Sequence, residues 1–149
     1  MNTLCAIHNS LKPSGAFVFE MGGHGNVAEI MTALIYTLTQ QGISVEKAKE
    51  ANPWFFPSEP WMKDALEKVG FHVEKLETEY RPTKLTTDVN GGLAGWVRLM
   101  GAQYLEVLPV EKRDEAVRHI CDVLESVVTR EEDGSQWLGY VRLRGIAKK

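Results

Sequence analysis

The chain has little cysteine, no excess of positive charge and no long apolar run. Cys5 and Cys121 are its 2 cysteines, too few for a disulfide framework, so a reducing compartment is expected. Lys plus Arg total 17 against 20 for Asp plus Glu, and the net charge of −3 leaves no basic footprint for nucleic acid. Apolar stretches run for only a few residues, far short of the roughly 20 that a membrane-spanning helix needs. The opening MNTLCAIHNSLKPSG lacks a positive start and a long apolar core, so no signal peptide is expected. Cys5-x-x-His8 offers two candidate ligands with no second pair at zinc spacing, so no metal site is expected. These absences point to a mildly acidic, cytoplasmic protein without nucleic-acid or membrane partners.

What is present suits a globular fold. The apolar share is 44% and the charged share 25%, both ordinary values. At roughly 150 residues per domain, residues 1–149 read as a single domain. Leu4, Ile7 and Leu11 recur at helical spacing before Pro13 and Gly15 stop the pattern. Ala16-Phe17-Val18-Phe19 is apolar without alternation and predicts a strand buried on both faces. Val27, Ile30, Met31, Leu34, Ile35 and Leu38 make one apolar stripe. Asn26 is placed to cap that helix, with Glu29 completing a capping box and Gly42 ending it. Residues 43–57 read as irregular, and Ser58 caps a helix that Gly70 ends. A strand follows over 71–76, then a loop from Arg81 to Asn90-Gly91-Gly92. Leu93, Trp96, Val97 and Met100 suit a short helix. Val117, Ile120, Leu124, Val127 and Val128 share one face of a longer helix, and residues 136–147 form a last strand. Helices alternating with strands define a layered α/β protein, with few strands for its length.

The turn after the first strand is glycine-rich. Gly23-His24-Gly25-Asn26-Val27-Ala28 fits the G-x-G-x-x-A spacing of a phosphate-binding turn. The acid-ended strand that should come about 20 residues later is missing, because Ile43-Ser44-Val45-Glu46 leads into the helix-like EKAKEA. A tight structural turn and a ligand-facing turn both stay open. Cys121, beside Ile120 and Leu124, reads as a buried inert thiol.

A family resemblance covers nearly the whole chain. Ser10-Leu11-Lys12-Pro13-Ser14-Gly15-Ala16-Phe17-Val18-Phe19-Glu20 resembles the "LKPGG-F-hydrophobic" passage of class I S-adenosylmethionine-dependent methyltransferases. Gly22-Gly23-His24-Gly25-Asn26-Val27, Asn52-Pro53-Trp54-Phe55-Phe56-Pro57-Ser58, Leu66-Glu67-Lys68-Val69-Gly70-Phe71, Arg81-Pro82-Thr83, Trp96-Val97 and Tyr140-Val141-Arg142-Leu143 are similar to the trans-aconitate-methyltransferase-like branch. The resemblance implies the carboxyl-terminal half of that domain, a partial Rossmann-like fold. Its three-stranded mixed sheet would hold the family's strands five, seven and six, flanked by helices. The glycine loop and acidic ribose partner that hold S-adenosylmethionine belong to the other half and have no counterpart here.

The resemblance implies methyl transfer to a small, acidic or oxygen-bearing molecule, with this chain supplying the acceptor side. His24, Trp54, Arg81 and Trp96 are the candidate substrate-binding residues. His24, an imidazole with both donor and acceptor capacity, suits an acidic ligand, or a backbone-bonded turn histidine. Trp54 and Trp96 suit an aromatic wall or plain core packing. Arg81, held extended before Pro82, suits a bidentate carboxylate grip or a surface ion pair. Arg142 and Arg144 read as a solvated or helix-covered face. No catalytic residue is assigned. The expected partner is a second copy across an exposed sheet edge or a separate amino-terminal half. Two other readings stay open: a non-methylating ligand-binding or assembly module, and an enzyme with other chemistry in the same crevice.

Overall fold

The computed structural model describes residues 2–89 and 91–149. In chain order the elements are α1 (Asn2–Ser10), β1 (Ala16–Gly22), α2 (Ala28–Gln40), α3 (Val45–Glu50), α4 (Glu59–Lys68), β2 (His72–Lys84), α5 (Gly92–Met100), α6 (Ala102–Glu106), α7 (Val110–Val128) and β3 (Trp137–Lys148). Asn90, read from the sequence as part of the turn before α5, lies outside the described residues. The strands form one sheet in the order β1-β3-β2, the five-seven-six order that the resemblance implies. β1 and β3 pair antiparallel from Ala16↔Lys148 to Gly22↔Arg142. The sheet is antiparallel rather than mixed, with β3 running against β1 beside it.

Contacts divide the chain into two compact units. The first comprises Met1–Asn26, Phe55–Arg81 and Tyr140–Lys149. Its core gathers Met62 and Leu66 of α4, Phe71, and Leu143 and Ala147 of β3. Leu4, Ile7 and Leu11 from the α1 segment and Phe17, Phe19 and Met21 of β1 pack against them. Ser58 caps α4 as expected, its Oγ accepting from Trp61 N at 3.4 Å, and Gly70 follows the helix end with φ 98°.

β1 differs from the strand foreseen. Phe17 and Phe19 turn into the core, while Val18 between them is 69% exposed. The strand is therefore half-buried, because it lies at the sheet edge with helices packed on the Phe17 and Phe19 side. Gly145 pairs directly with Phe19, and a Cβ there would run into the Phe19 ring. The missing side chain leaves room for the aromatic ring, a common reason for glycine inside a strand.

The second unit comprises Val27–Trp54 and Pro82–Gly139 and is mainly helical. Ile30, Leu34 and Leu38 of α2 and Val117, Ile120 and Leu124 of α7 are buried on their helices' inner stripes. Val127, expected on that stripe, is 67% exposed, and Ala116 is buried instead. The two neighbours Val127 and Val128 cannot share one narrow face, since adjacent helical residues lie about 100° apart. α3 falls in the segment read as irregular. Ser44 caps it by accepting from Lys47 N at 3.3 Å, and Ala48 is its sole buried residue among those described, too few for a visible periodicity.

Asn26 and Glu29 do not form the expected capping box. α2 starts after Val27, which takes a left-handed conformation at φ 46° with no side-chain cap. In the first unit Asn26 Oδ1 accepts from Val141 N at 2.8 Å. In the second, Glu29 Oε1 accepts from Gly139 N at 2.6 Å. Both acceptors serve a distant strand's backbone in place of the local helix start.

Gly145→Ala should destabilise the chain by about 1–3 kcal/mol, the usual cost of an extra methyl in a packed core. Val127→Ala should stay within about 0.5 kcal/mol, as exposed substitutions do. Urea unfolding followed by circular dichroism checks both values.

Candidate functional site

The glycine-rich turn is a structural joint. Gly23 N donates to Val141 O at 3.0 Å, His24 N to Pro57 O at 2.9 Å, Asn26 N to Gly23 O at 3.0 Å and Val27 N to Gly139 O at 3.0 Å. Those amides are thereby spent on protein carbonyls, whereas a phosphate cradle needs them free. Where a dinucleotide fold would place its next strand, the chain forms α3. A Cβ on Gly22 would lie 2.6 Å from the Phe56 ring, so close packing explains that glycine. His24 itself is exposed at the turn.

In the first unit, Arg81 lies at the end of the loop-facing half of β2 and pairs with Glu20 at 3.6 Å. Glu20 also accepts from Arg142 Nε at 3.1 Å and Arg144 Nε at 2.6 Å. Arg144 reaches Glu79 at 2.7 Å as well. The cluster arises because Glu20 faces Arg144 across the β1–β3 pair, with Arg142 diagonally adjacent. The Arg144 hydrogen bond, with a second from Arg142, holds the Glu20 carboxyl below the usual carboxylate range, against a partial desolvation that pushes it up. Arg142 and Arg144, read as a solvated or covered face, thus have a defined partner.

In the second unit the structure brings Trp54 and Trp96 together. Their ring centroids are 6.1 Å apart and tilted by 51°. Asn52 Oδ1 accepts from Trp54 N at 3.0 Å and sets the turn that presents the indole. Trp96 stands on α5, whose start is held by Leu93 N donating to Gln136 Oε1 at 3.0 Å. A recess of about 270 Å³ adjoins Trp96, lined also by Lys84, Leu85, Gly95 and Leu99. Tyr104 of α6 completes the group, 5.9 Å from Trp54. It is fully buried, and its hydroxyl has no protein partner among the described residues. Burial pushes its phenol up from the ordinary value, so it stays a neutral donor. The sequence offered little signal for Tyr104, because Gly101 interrupts the helical spacing that would connect it to Trp96.

His24 and Arg81 belong to the first unit, Trp54 and Trp96 to the second. Cys5 is half-buried, and the His8 ring packs edge-on against Phe71 at 4.9 Å. Cys121 is half-buried, and burial raises its thiol above the ordinary value. Among the described residues no group of three or more His, Cys, Asp or Glu could hold a metal ion. No described helix is long and apolar enough to cross a membrane.

No family model matches the chain. It is 35% identical over 139 residues to an uncharacterized methyltransferase of Schizosaccharomyces pombe, a match covering 93% of this chain and 51% of that protein. The chain thus spans about half the length of the curated relative it matches. The crystal structure of a methyltransferase candidate from Bacillus halodurans superposes with a TM-score of 0.52 at 14% identity, over 98% of this chain and 61% of that one. At that identity the likeness concerns the fold. The likeness in sequence to a methyltransferase runs along nearly the whole chain, in keeping with a resemblance to the carboxyl-terminal portion of such a domain.

The Glu20 cluster gives a pH prediction. A carboxyl whose folded pKa is lowered contributes stability above its unfolded pKa, and loses it as pH falls through the folded value. Glu20→Gln should therefore be less stable than the parent chain at neutral pH, with the gap closing in acid. Carboxyl-carbon NMR should also show the Glu20 midpoint rising in Arg144→Gln. An unmoved midpoint would mean that Arg144 does not hold the carboxylate.

Proposed function

We propose that this chain supplies the acceptor side of a methyltransferase that uses S-adenosylmethionine, and that the methyl group goes to a small acidic or oxygen-bearing molecule. The observation that carries the reading is the 35% identity along 93% of the chain to a protein named a methyltransferase. The β1-β3-β2 order is in keeping with it. Within the second unit, Trp54 and Trp96 are proposed as the apolar groups that meet the acceptor. In such transfers the protein's main task is to hold the acceptor atom in line with the methyl donor.

The glycine-rich turn does not fit the nucleoside cofactor, because the amides of Gly23, His24, Asn26 and Val27 are spent on carbonyls. We therefore expect the chain by itself to bind S-adenosylmethionine weakly and to methylate nothing alone. The natural partner of this reading is an amino-terminal half that carries the cofactor. Titration calorimetry on the purified chain should give no dissociation constant below the high micromolar range, and a low micromolar value would overturn this division of labour. The reading as a whole is tested by adding a separately produced amino-terminal half of the yeast relative and following transfer of a labelled methyl group to a panel of organic acids. Transfer with both halves and none with either alone is the expected result.

A second reading has its own support in the edge position of β1 with Val18 exposed. Two copies pairing their β1 strands about a two-fold axis would satisfy the unpaired edge groups and give a non-methylating assembly module. Light scattering separates the two. A mass twice the 16.7 kDa of one chain supports self-pairing, and a stable monomer at tens of micromolar excludes it.

A further inference from the structure

Charged groups that line a recess in the first unit are paired with one another. A recess of about 340 Å³ beside Val18 and Ile146 is walled by Glu20, Arg144, Lys75 and Glu77, where Glu20 pairs with Arg144 and Lys75 with Glu77. The helical unit holds a recess of the opposite kind. Tyr36 of α2 and Glu115, Arg118, His119 and Asp122 of α7 line a space of about 420 Å³, within the range of about 300–1,000 Å³ usual for small-molecule sites. Arg118 follows Glu115 by one helical turn and precedes Asp122 by another, a spacing at which helix charges meet. Yet among the described residues none of the three carries an ion pair. His119 Nε2, shielded from solvent, has no protein partner there either.

The rings of Tyr36 and His119 stack with centroids 6.0 Å apart and an angle of 27°. Tyr36 is 46% exposed, so part of this flat surface stays open beside charges of both signs. A simple anion that met Arg118 would be repelled by the two carboxylates, and a simple cation would be repelled by Arg118. A molecule carrying both charges satisfies all three. α2 ends at Gln41 on the same wall, and its carbonyl pole favours an ammonium group there.

We propose that this recess binds an aromatic α-amino acid, with its carboxylate on Arg118, its ammonium on Glu115 and Asp122, and its ring against Tyr36 and His119. The recess shares no lining residue with the one beside Trp96. The proposal goes beyond the acceptor-side reading and does not rest on it.

The test uses the whole chain and three probes with one phenyl body. L-phenylalanine carries both charges, 3-phenylpropionate lacks the ammonium and 2-phenylethylamine lacks the carboxylate. Each is titrated while the ring signals of Tyr36 and His119 are followed by NMR. L-phenylalanine should shift both sets, and each half-charged probe should bind about fivefold more weakly, as loss of one exposed ion pair predicts. Arg118→Gln should lower L-phenylalanine to the affinity of 2-phenylethylamine and leave the amine itself unchanged. Glu115→Gln combined with Asp122→Asn should lower L-phenylalanine to the affinity of 3-phenylpropionate. These side chains are exposed, so the variants should fold.

No shift at millimolar L-phenylalanine would overturn the proposal, and it is the result expected if the charges are merely solvated. Equal affinity for the three probes, or L-phenylalanine binding that ignores the charge variants, would overturn it too. So would shifts confined to the Trp54 and Trp96 signals, which would place the ligand elsewhere. No methyl donor is present, so failure of methyl transfer in the two-half experiment bears on the proposed function alone.

Discussion

Gly145 beneath Phe19 is the constraint on which the first unit rests. Strand pairing has a side-chain period of two, so slipping by one residue would move every core side chain to the other face. The pair Phe19↔Gly145 resists such a slip, because the ring fits only where the partner strand has no side chain. With that register set, Phe17 meets Ala147 and Met21 meets Leu143, all toward the core that α1 and α4 cover. The same register sends Glu20, Arg142 and Arg144 to the opposite face and brings them within ion-pairing distance. One packing contact thereby decides both the apolar face and the charged one.

The helical unit shows a different economy. Its helices bury aliphatic stripes in the ordinary way, but Trp54, Trp96 and Tyr104 add an aromatic group with an unpaired polar atom at its base. Stability alone would favour phenylalanine at such a position, since an unpaired buried hydroxyl costs free energy and packs no better. The glycine-rich turn is the opposite case. It resembles a ligand-binding motif in sequence, yet the amides of Gly23, His24, Asn26 and Val27 are spent on protein carbonyls, and Gly22 and Gly23 serve close packing against Phe56 and Leu143.

The long helices and the last strand were legible because each carries a local signal: a stripe at helical spacing, a cap such as Ser58 or a stop such as Gly70. α3 and α6 were missed because 6 and 5 residues span too few turns to show a period. Of the candidate site, the aromatic character of Trp54 and Trp96 was legible, whereas their proximity across 42 positions (from 54 to 96) and the partnership with Tyr104 were not.

Local sequence thus determined which segments became helices and strands, since spacing and caps act within one or two turns. Similarity of residue order also carried the kinship with methyltransferases and the strand order. Tertiary structure alone decided how Asn26 and Glu29 are used. Both have the chemistry of helix caps, but the strand amides of Val141 and Gly139 lie within reach and take their oxygens. It also decided that Glu20 meets three arginines, and that the Tyr104 hydroxyl is buried without a protein partner among the described residues. The reason is the same in each case. A polar side chain bonds to whatever donor or acceptor the fold brings near, and for these residues the neighbour that matters comes from a distant part of the chain.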